Sequence, residues 1–359
     1  MRRRSLLKSF PLATALLASG SVHALPPMRA PAEEHPHAAT WMAWPHNLSL
    51  YEDRSYFEDV QQHLGRLARA ISRFEPVFMA APSPDFARVR ELCGEAVTPV
   101  SIPTNDMWMR DSGPVFVRNS DGALGAVDFN FNGWGDKQQP RADDEQVAER
   151  VCEYLGIKCA RTALVGEGGG LEYDGEGTLL LSESCWLNEN RNPGIGRHEM
   201  TAELKRLLGV EKVIWLPGVR DRDITDGHID GSIRFVRPGV IMTSGFPGDV
   251  SDWGATLDEG RAILARETDA RGRSFELVDI PGATDASSSS DELFTGYANY
   301  YVANGAVFTP RFGDRKADAR ALELLGALFP DREVVPLELD RIYECGGGIH
   351  CVTQQQPAV

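Results

Sequence analysis

The sequence predicts an α/β fold, and three observations predict it. Short apolar runs recur at Val77–Met79, Val115–Val117, Leu179–Leu181, Val240–Met242 and Val307–Thr309, and all but the first closely follow a glycine. Such runs, bounded by turn signals, read as buried strands. Amphipathic helical patterns lie between them, with stop signals where helix ends belong. Strands alternating with helices define the class, and five similar units hint at a repeated architecture.

The elements follow in order. Residues 1–24 are read as a targeting segment: Arg2, Arg3 and Arg4 form a basic start, Leu12 to Leu17 a short apolar run, and Val22-His23-Ala24 a small-residue cleavage pattern before Leu25. The run from Arg3 to Lys8 resembles a twin-arginine export signal, the alternative being a general secretory leader. Either way the expectation is a periplasmic or secreted bacterial protein. Nothing after residue 24 has the length and apolarity of a membrane span. The remainder, residues 25–359, is expected to be a single catalytic domain, with no low-complexity linker to divide it.

A helix is predicted over Val60–Arg73, ahead of the first strand, with Trp41 and Trp44 packing nearby. The polar stretch Asn105–Asp111 precedes the second strand. Gly133-Trp134-Gly135 reads as a structural loop. A second helix, Glu145–Leu155, ends at Gly156. Glu167-Gly168-Gly169-Gly170 precedes the third strand, and the helix Arg197–Leu208 follows it, closed by Gly209. Asp226–Asp230 precedes the fourth strand, with a helix at Leu257–Arg266 beyond it. The last strand leads to the helix Ala317–Phe329, which Pro330 stops. Cys345-Gly-Gly-Gly-Ile-His-Cys351 follows near the C-terminus. Polar groups at the same point of successive repeats would converge on one end of a closed ring.

Composition narrows the partners. Removing the leader takes four positive charges away, leaving 33 basic against 52 acidic residues and moving the net charge from −15 to −19. That disfavours nucleic acid and favours small cations or basic side chains. Six cysteines in an exported chain invite a disulfide reading, and Cys152 and Cys159 could pair. Cys351 is read as a free thiol.

The chemistry starts from that thiol. Three consecutive glycines are tolerated where the chain needs positive φ or a close approach to its backbone. Cys351 is therefore presented on a tight loop. Asp111, Asp230 and Trp108 are what a planar cation requires: carboxylates grip a guanidinium fork, and an indole face adds a cation–π contact. A thiolate can attack the guanidinium carbon from above its plane, and the bound cation favours the thiolate. His228 can protonate departing ammonia and then activate water, with Glu167 orienting it and keeping it protonated. The outcome is hydrolysis of a guanidine to a urea group and ammonia, with no metal and no cofactor.

These residues resemble the agmatine deiminase and bacterial (Porphyromonas-type) peptidylarginine deiminase family of the guanidino-group-modifying superfamily. Thr40–Pro45, Asn105–Pro114, Phe129–Gly135, Glu167–Gly169, Asn188–Pro193, Asp226–Asp230 and Gly346–Gln355 carry the resemblance over nearly the whole mature chain. It implies a five-bladed α/β propeller (a pentein) of ββαβ units. It also implies Cys351 as nucleophile, Glu167 and His228 as the acid–base pair, Asp111 and Asp230 as guanidinium ligands and Trp108 as an aromatic wall, with Arg110 behind them. Gly170 departs from the Ser or Asn that relatives often carry there, which puts a hydrogen bond to substrate in question. Agmatine, giving N-carbamoylputrescine in polyamine metabolism, is the substrate the resemblance favours; the export signal keeps peptidyl arginine as the alternative. Two rivals stand beside it. A metal-dependent ureohydrolase would use Asp223, Asp226, His228 and Asp230 as an oxygen-rich cluster. A non-catalytic guanidine-binding protein would use the carboxylates and Trp108 but not the thiol.

Overall fold

In the computed structural model, residues 28–245, 249–290 and 293–359 are described. The proposed leader lies outside them. No helix among the described residues is long and apolar enough to cross a membrane.

The described residues build five small sheets in succession. The first contains β1 (His37–Ala43), β2 (Val77–Ala81) and β3 (Val97–Ser101). The next four each hold three strands: β4 (Val115–Arg118), β5 (Leu124–Asp128) and β6 (Lys158–Arg161); β7 (Glu172–Tyr173), β8 (Thr178–Ser182) and β9 (Lys212–Leu216); β10 (Ile233–Arg237), β11 (Val240–Gly245) and β12 (Glu276–Pro281); β13 (Tyr301–Ala303), β14 (Ala306–Pro310) and β15 (Glu333–Leu337). In these four sheets an antiparallel hairpin is followed by a parallel third strand. A parallel neighbour needs a crossover, and a helix supplies it each time: Val147–Leu155, Arg197–Leu208, Asp252–Leu264 and Arg315–Leu328. The first sheet completes the pattern with the other end of the chain. Its hairpin partner is β16 (Gln354–Pro357), antiparallel to β1, and the helix Arg54–Ile71 crosses from β1 to β2. The result is a ring of five ββαβ units closed by its own termini, the five-bladed α/β propeller.

Burial explains the crossovers. The helix Arg54–Ile71 turns Val60, Leu64, Leu67 and Ile71 inward, all completely buried. Pro99 and Pro336 fall in β3 and β15, edge strands where a missing N–H is tolerated.

The five apolar runs are all strands, but they are not equivalent ones. Leu179–Leu181, Val240–Met242 and Val307–Thr309 lie in middle strands, Val115–Val117 in the first strand of a hairpin and Val77–Met79 in the strand after a crossover helix. Three helices start earlier than their apolar periodicity, because Asp53, Ser251 and Asp314 cap polar first turns by accepting backbone N–H groups. The helix Arg197–Leu208 has the expected bounds, with Gly209 at φ +64°. Cys152 and Cys159 are both free thiols.

Candidate active site

Each unit delivers a polar residue two to five positions before its first strand: Asp111 before β4, Glu167 before β7, Asp230 before β10, Asn299 before β13 and Cys351 before β16. Equivalent positions in a closed ring face one axis, so these five meet. Sequence reasoning found four of them.

Asp111 sits in the helical turn Met109–Ser112, tied to the cysteine loop by Arg110 N–H donating to the Cys351 carbonyl at 3.0 Å. Its Oδ1 accepts from Gly169 N–H at 3.0 Å and its Oδ2 from Trp134 Nε1 at 2.9 Å. Trp134 holds a left-handed backbone, φ 54° and ψ 45°, an uncommon conformation for a bulky residue. It is therefore more than a structural loop: its indole grips the carboxylate. Burial pushes the Asp111 carboxyl up to about 6; His228 opposes the rise, the charges of Asp230 and Glu167 add to it, and the Trp134 bond restrains it.

Glu167 is wholly buried, and its carboxylate receives Arg191 Nε on both oxygens at 2.8 and 3.0 Å. His228 Nε2 lies 3.3 Å from its Oε2, and the Cys185 thiol lies 3.4 Å from the same oxygen. Burial raises the Glu167 carboxyl, but Arg191 and His228 outweigh it and hold the group below its usual range. Burial works against a charged His228, yet Asp111, Cys185 and Glu167 keep it protonated well above the ordinary imidazole range. Its Nδ1 makes no hydrogen bond and faces Asp111 Oδ1 at 3.7 Å.

Asp230 Oδ2 pairs with His350 Nδ1 at 2.6 Å and lies 3.7 Å from Cys351 Sγ. Burial raises this carboxyl, and His350 more than offsets it. Cys351 Sγ accepts from Asn299 Nδ2 at 3.3 Å. Asn299 is oriented for this because its Oδ1 takes the His350 N–H at 3.0 Å. Burial and the charges of Asp230 and Asp111 push the thiol well above its ordinary range. A cation bound beside it removes that opposition.

The glycines have separate reasons. Gly346 holds φ +83°. A Cβ on Gly347 would collide with the Trp108 ring, and one on Gly348 would come within 2.5 Å of Asn299 Oδ1. A Cβ on Gly169 would stand 2.6 Å from His228 Nδ1, 2.8 Å from Asp111 Oδ1 and 3.2 Å from Asp230 Oδ2. Gly170 faces Trp186 and Cys185, so the departure there falls behind the acid–base pair. Trp108 donates Nε1 to Asp106 at 3.1 Å and forms a wall of a cavity of about 590 Å³, with Asp111, Trp134 and Cys351 also lining it.

The four residues of the ureohydrolase rival do not gather. Asp226 is taken by Arg191 and Lys137, each at 2.7 Å; Asp230 by His350; and Asp223 by Thr225 and the Gly227 N–H. Among the described residues the trio within metal-ligand reach is Glu167, Cys185 and His228, and Arg191 already neutralises its carboxylate.

Sequence reasoning missed Asn299, Trp134 and the buried anchor Arg191. Asn299 was findable: it occupies, in the fifth unit, the place that the other four motifs occupy in theirs.

A ring of five ββαβ units that brings a cysteine thiol, a histidine and buried carboxylates together ahead of its first strands defines the class, a five-bladed α/β propeller. The model of the Porphyromonas-type peptidyl-arginine deiminases matches residues 29–357, and the chain belongs to that family. It is 37% identical to an agmatine deiminase of Medicago truncatula, over 92% of this chain and 96% of that one. It is 39% identical to a putative agmatine deiminase of Streptomyces coelicolor, over 92% and 98%. Its fold matches the solved agmatine deiminase of Enterococcus faecalis with a TM-score of 0.86 and 31% identity, over 92% and 96% of the two chains.

Proposed function

We propose that the protein hydrolyses agmatine to N-carbamoylputrescine and ammonia through a covalent intermediate on Cys351. One observation carries the reading. The oxygens of Asp111 are held by two neutral N–H donors, Asp111 and Cys351 line one cavity, and Asp230 lies 3.7 Å from the Cys351 sulfur. A guanidinium seated there satisfies both carboxylates, stacks on Trp108 and exposes its carbon to sulfur.

The steps balance. Binding of the cation favours loss of the thiol proton to solvent. The Cys351 thiolate adds to the guanidinium carbon, giving a neutral tetrahedral adduct. His228 donates its proton to one nitrogen, the C–N bond breaks, ammonia leaves and a thiouronium remains. Neutral His228 then takes a proton from water as the oxygen adds to carbon. The C–S bond breaks, the hydroxyl proton departs and the ureido product is released with the thiolate restored. Glu167, fixed by Arg191, keeps His228 charged for the first transfer. Asn299 donates to sulfur and stabilises its negative charge.

Agmatine is favoured because the Medicago truncatula and Enterococcus faecalis relatives are agmatine deiminases and because Glu52 lines the same cavity, where a distal ammonium would lie. The family description and the leader favour a second reading, citrulline formation in exported or extracellular peptides. Ammonia release from agmatine, free arginine and an arginine peptide separates them. Agmatine should dominate; comparable citrulline in the peptide would install the second reading. We also propose export through residues 1–24, which a mature N-terminus at Leu25 in the periplasm would support and an intact cytoplasmic chain would overturn.

A further inference from the structure

The mechanism above uses Asp230 but not the histidine bound to it. His350 is buried, with Nδ1 2.6 Å from Asp230 Oδ2 and Nε2 2.8 Å from Glu33 Oε2. Glu33 belongs to the segment ahead of β1. The same Glu33 oxygen lies 3.0 Å from Arg234 and 3.5 Å from Arg110, and its other oxygen accepts from Val302 N–H at 2.8 Å. Arg234 continues to Glu172 at 3.0 Å. A buried chain of charges thus runs from the N-terminal segment to the residue beside the nucleophile.

Hydrogen-bond chemistry restricts what His350 can be. An ionised carboxylate only accepts, and a neutral imidazole has one N–H. Arg234 at 3.0 Å, Arg110 at 3.5 Å and the Val302 N–H at 2.8 Å surround the Glu33 carboxylate as cations or donors, and Asp230 must be ionised to hold a guanidinium, so both are acceptors toward His350. Two contacts of 2.6 and 2.8 Å therefore need two N–H donors. The groups facing His350 fit this: Glu33 and Asp230 on its ring, Arg110 and Arg234 beyond Glu33, and neutral Asn299 on its backbone.

We propose that His350, donating from both ring nitrogens to Glu33 and Asp230, is a positioning residue that fixes Asp230 in its guanidinium-binding rotamer and keeps it charged. Glu33 is its anchor, which makes the segment before β1 part of the site's electrostatics. Placing the same rigid ring beside Cys351 couples the loop of the nucleophile to the ligand carboxylate. The reading rests on the deiminase function proposed above.

The test uses the full chain and two variants, His350→Gln and Glu33→Gln. Glutamine in place of His350 can donate to one carboxylate but turns an acceptor toward the other. Its KM for agmatine should rise roughly tenfold or more while kcat falls less. Glu33→Gln should raise KM by less. Nitrogen-15 spectra of histidine-labelled wild-type protein, at the pH of turnover, should show protons on both ring nitrogens of His350. A normal KM in folded variants, or a neutral His350 in the wild type, would overturn the proposal. Should His350→Gln fail to fold, Glu33→Gln and the wild-type spectrum still decide. A wild-type protein that released no ammonia from agmatine would remove the substrate reading, while the spectrum would still settle the state of His350.

Discussion

Trp134→Phe isolates one bond. The ring stays in the same left-handed backbone, so the strain is shared, and the loss is the Nε1–H donated to Asp111 Oδ2 at 2.9 Å. A hydrogen bond to a charged acceptor contributes about 1.5–3 kcal/mol. At about 1.4 kcal/mol per pH unit, that is a shift of roughly one to two units. The bond favours the ionised carboxylate, so removing it raises the carboxyl further from its present position of about 6. The acid limb of kcat/KM, which reports the free enzyme, should then move from near 6 toward about 7–8. At neutral pH the specificity constant for agmatine should fall by about twofold to tenfold, most of it recovered at alkaline pH. Ammonia release followed across pH measures this, with thermal unfolding as the control for packing. An acid limb within a few tenths of a unit of wild type, in a variant that unfolds normally, would refute the assignment of Asp111 as the carboxylate that must be ionised.

Gly169→Ala should lower kcat/KM by about a hundredfold or more, with about 1–3 kcal/mol lost from stability, because its Cβ enters the crowded space between His228, Asp111 and Asp230; near-normal kinetics would mean those three groups do not meet the substrate together. Arg191→Met should destabilise the fold by about 3 kcal/mol in urea unfolding, the low end for a broken buried pair, since Glu167 keeps only His228 and Asp226 keeps Lys137 as cationic partner; a loss under about 1 kcal/mol would show the pair to be dispensable to folding.

The fold class was legible because every crossover helix turns an apolar stripe inward and the two helices at Gly156 and Gly209 end where glycine can adopt a left-handed backbone. Ring closure was implied by the family resemblance rather than by any local pattern, because β1 finds its hairpin partner more than three hundred residues away in Gln354–Pro357. Asp111, Glu167, His228, Asp230, Cys351 and Trp108 were legible as chemistry because each stands in a short polar or glycine-rich motif ahead of a strand. Asn299 lies among Tyr297, Tyr300 and Tyr301 and reads as core until the fivefold register is known. Trp134 was assigned to a loop because nothing in a Gly-Trp-Gly triplet says where its N–H points. His350 was noticed only as the residue before the thiol; its two carboxylate partners, Glu33 and Asp230, come from elements far apart in sequence.

The central claim is that Cys351 forms and breaks a bond to the guanidine carbon. Rapid acid quenching of wild-type enzyme with agmatine, followed by digestion and mass spectrometry, tests it most directly. An adduct equal in mass to agmatine less ammonia is expected on Cys351 and on none of Cys93, Cys152, Cys159, Cys185 or Cys345. Cys351→Ser is also expected to bind agmatine without releasing ammonia. An adduct on another cysteine, or sustained ammonia release by Cys351→Ser, would contradict the claim.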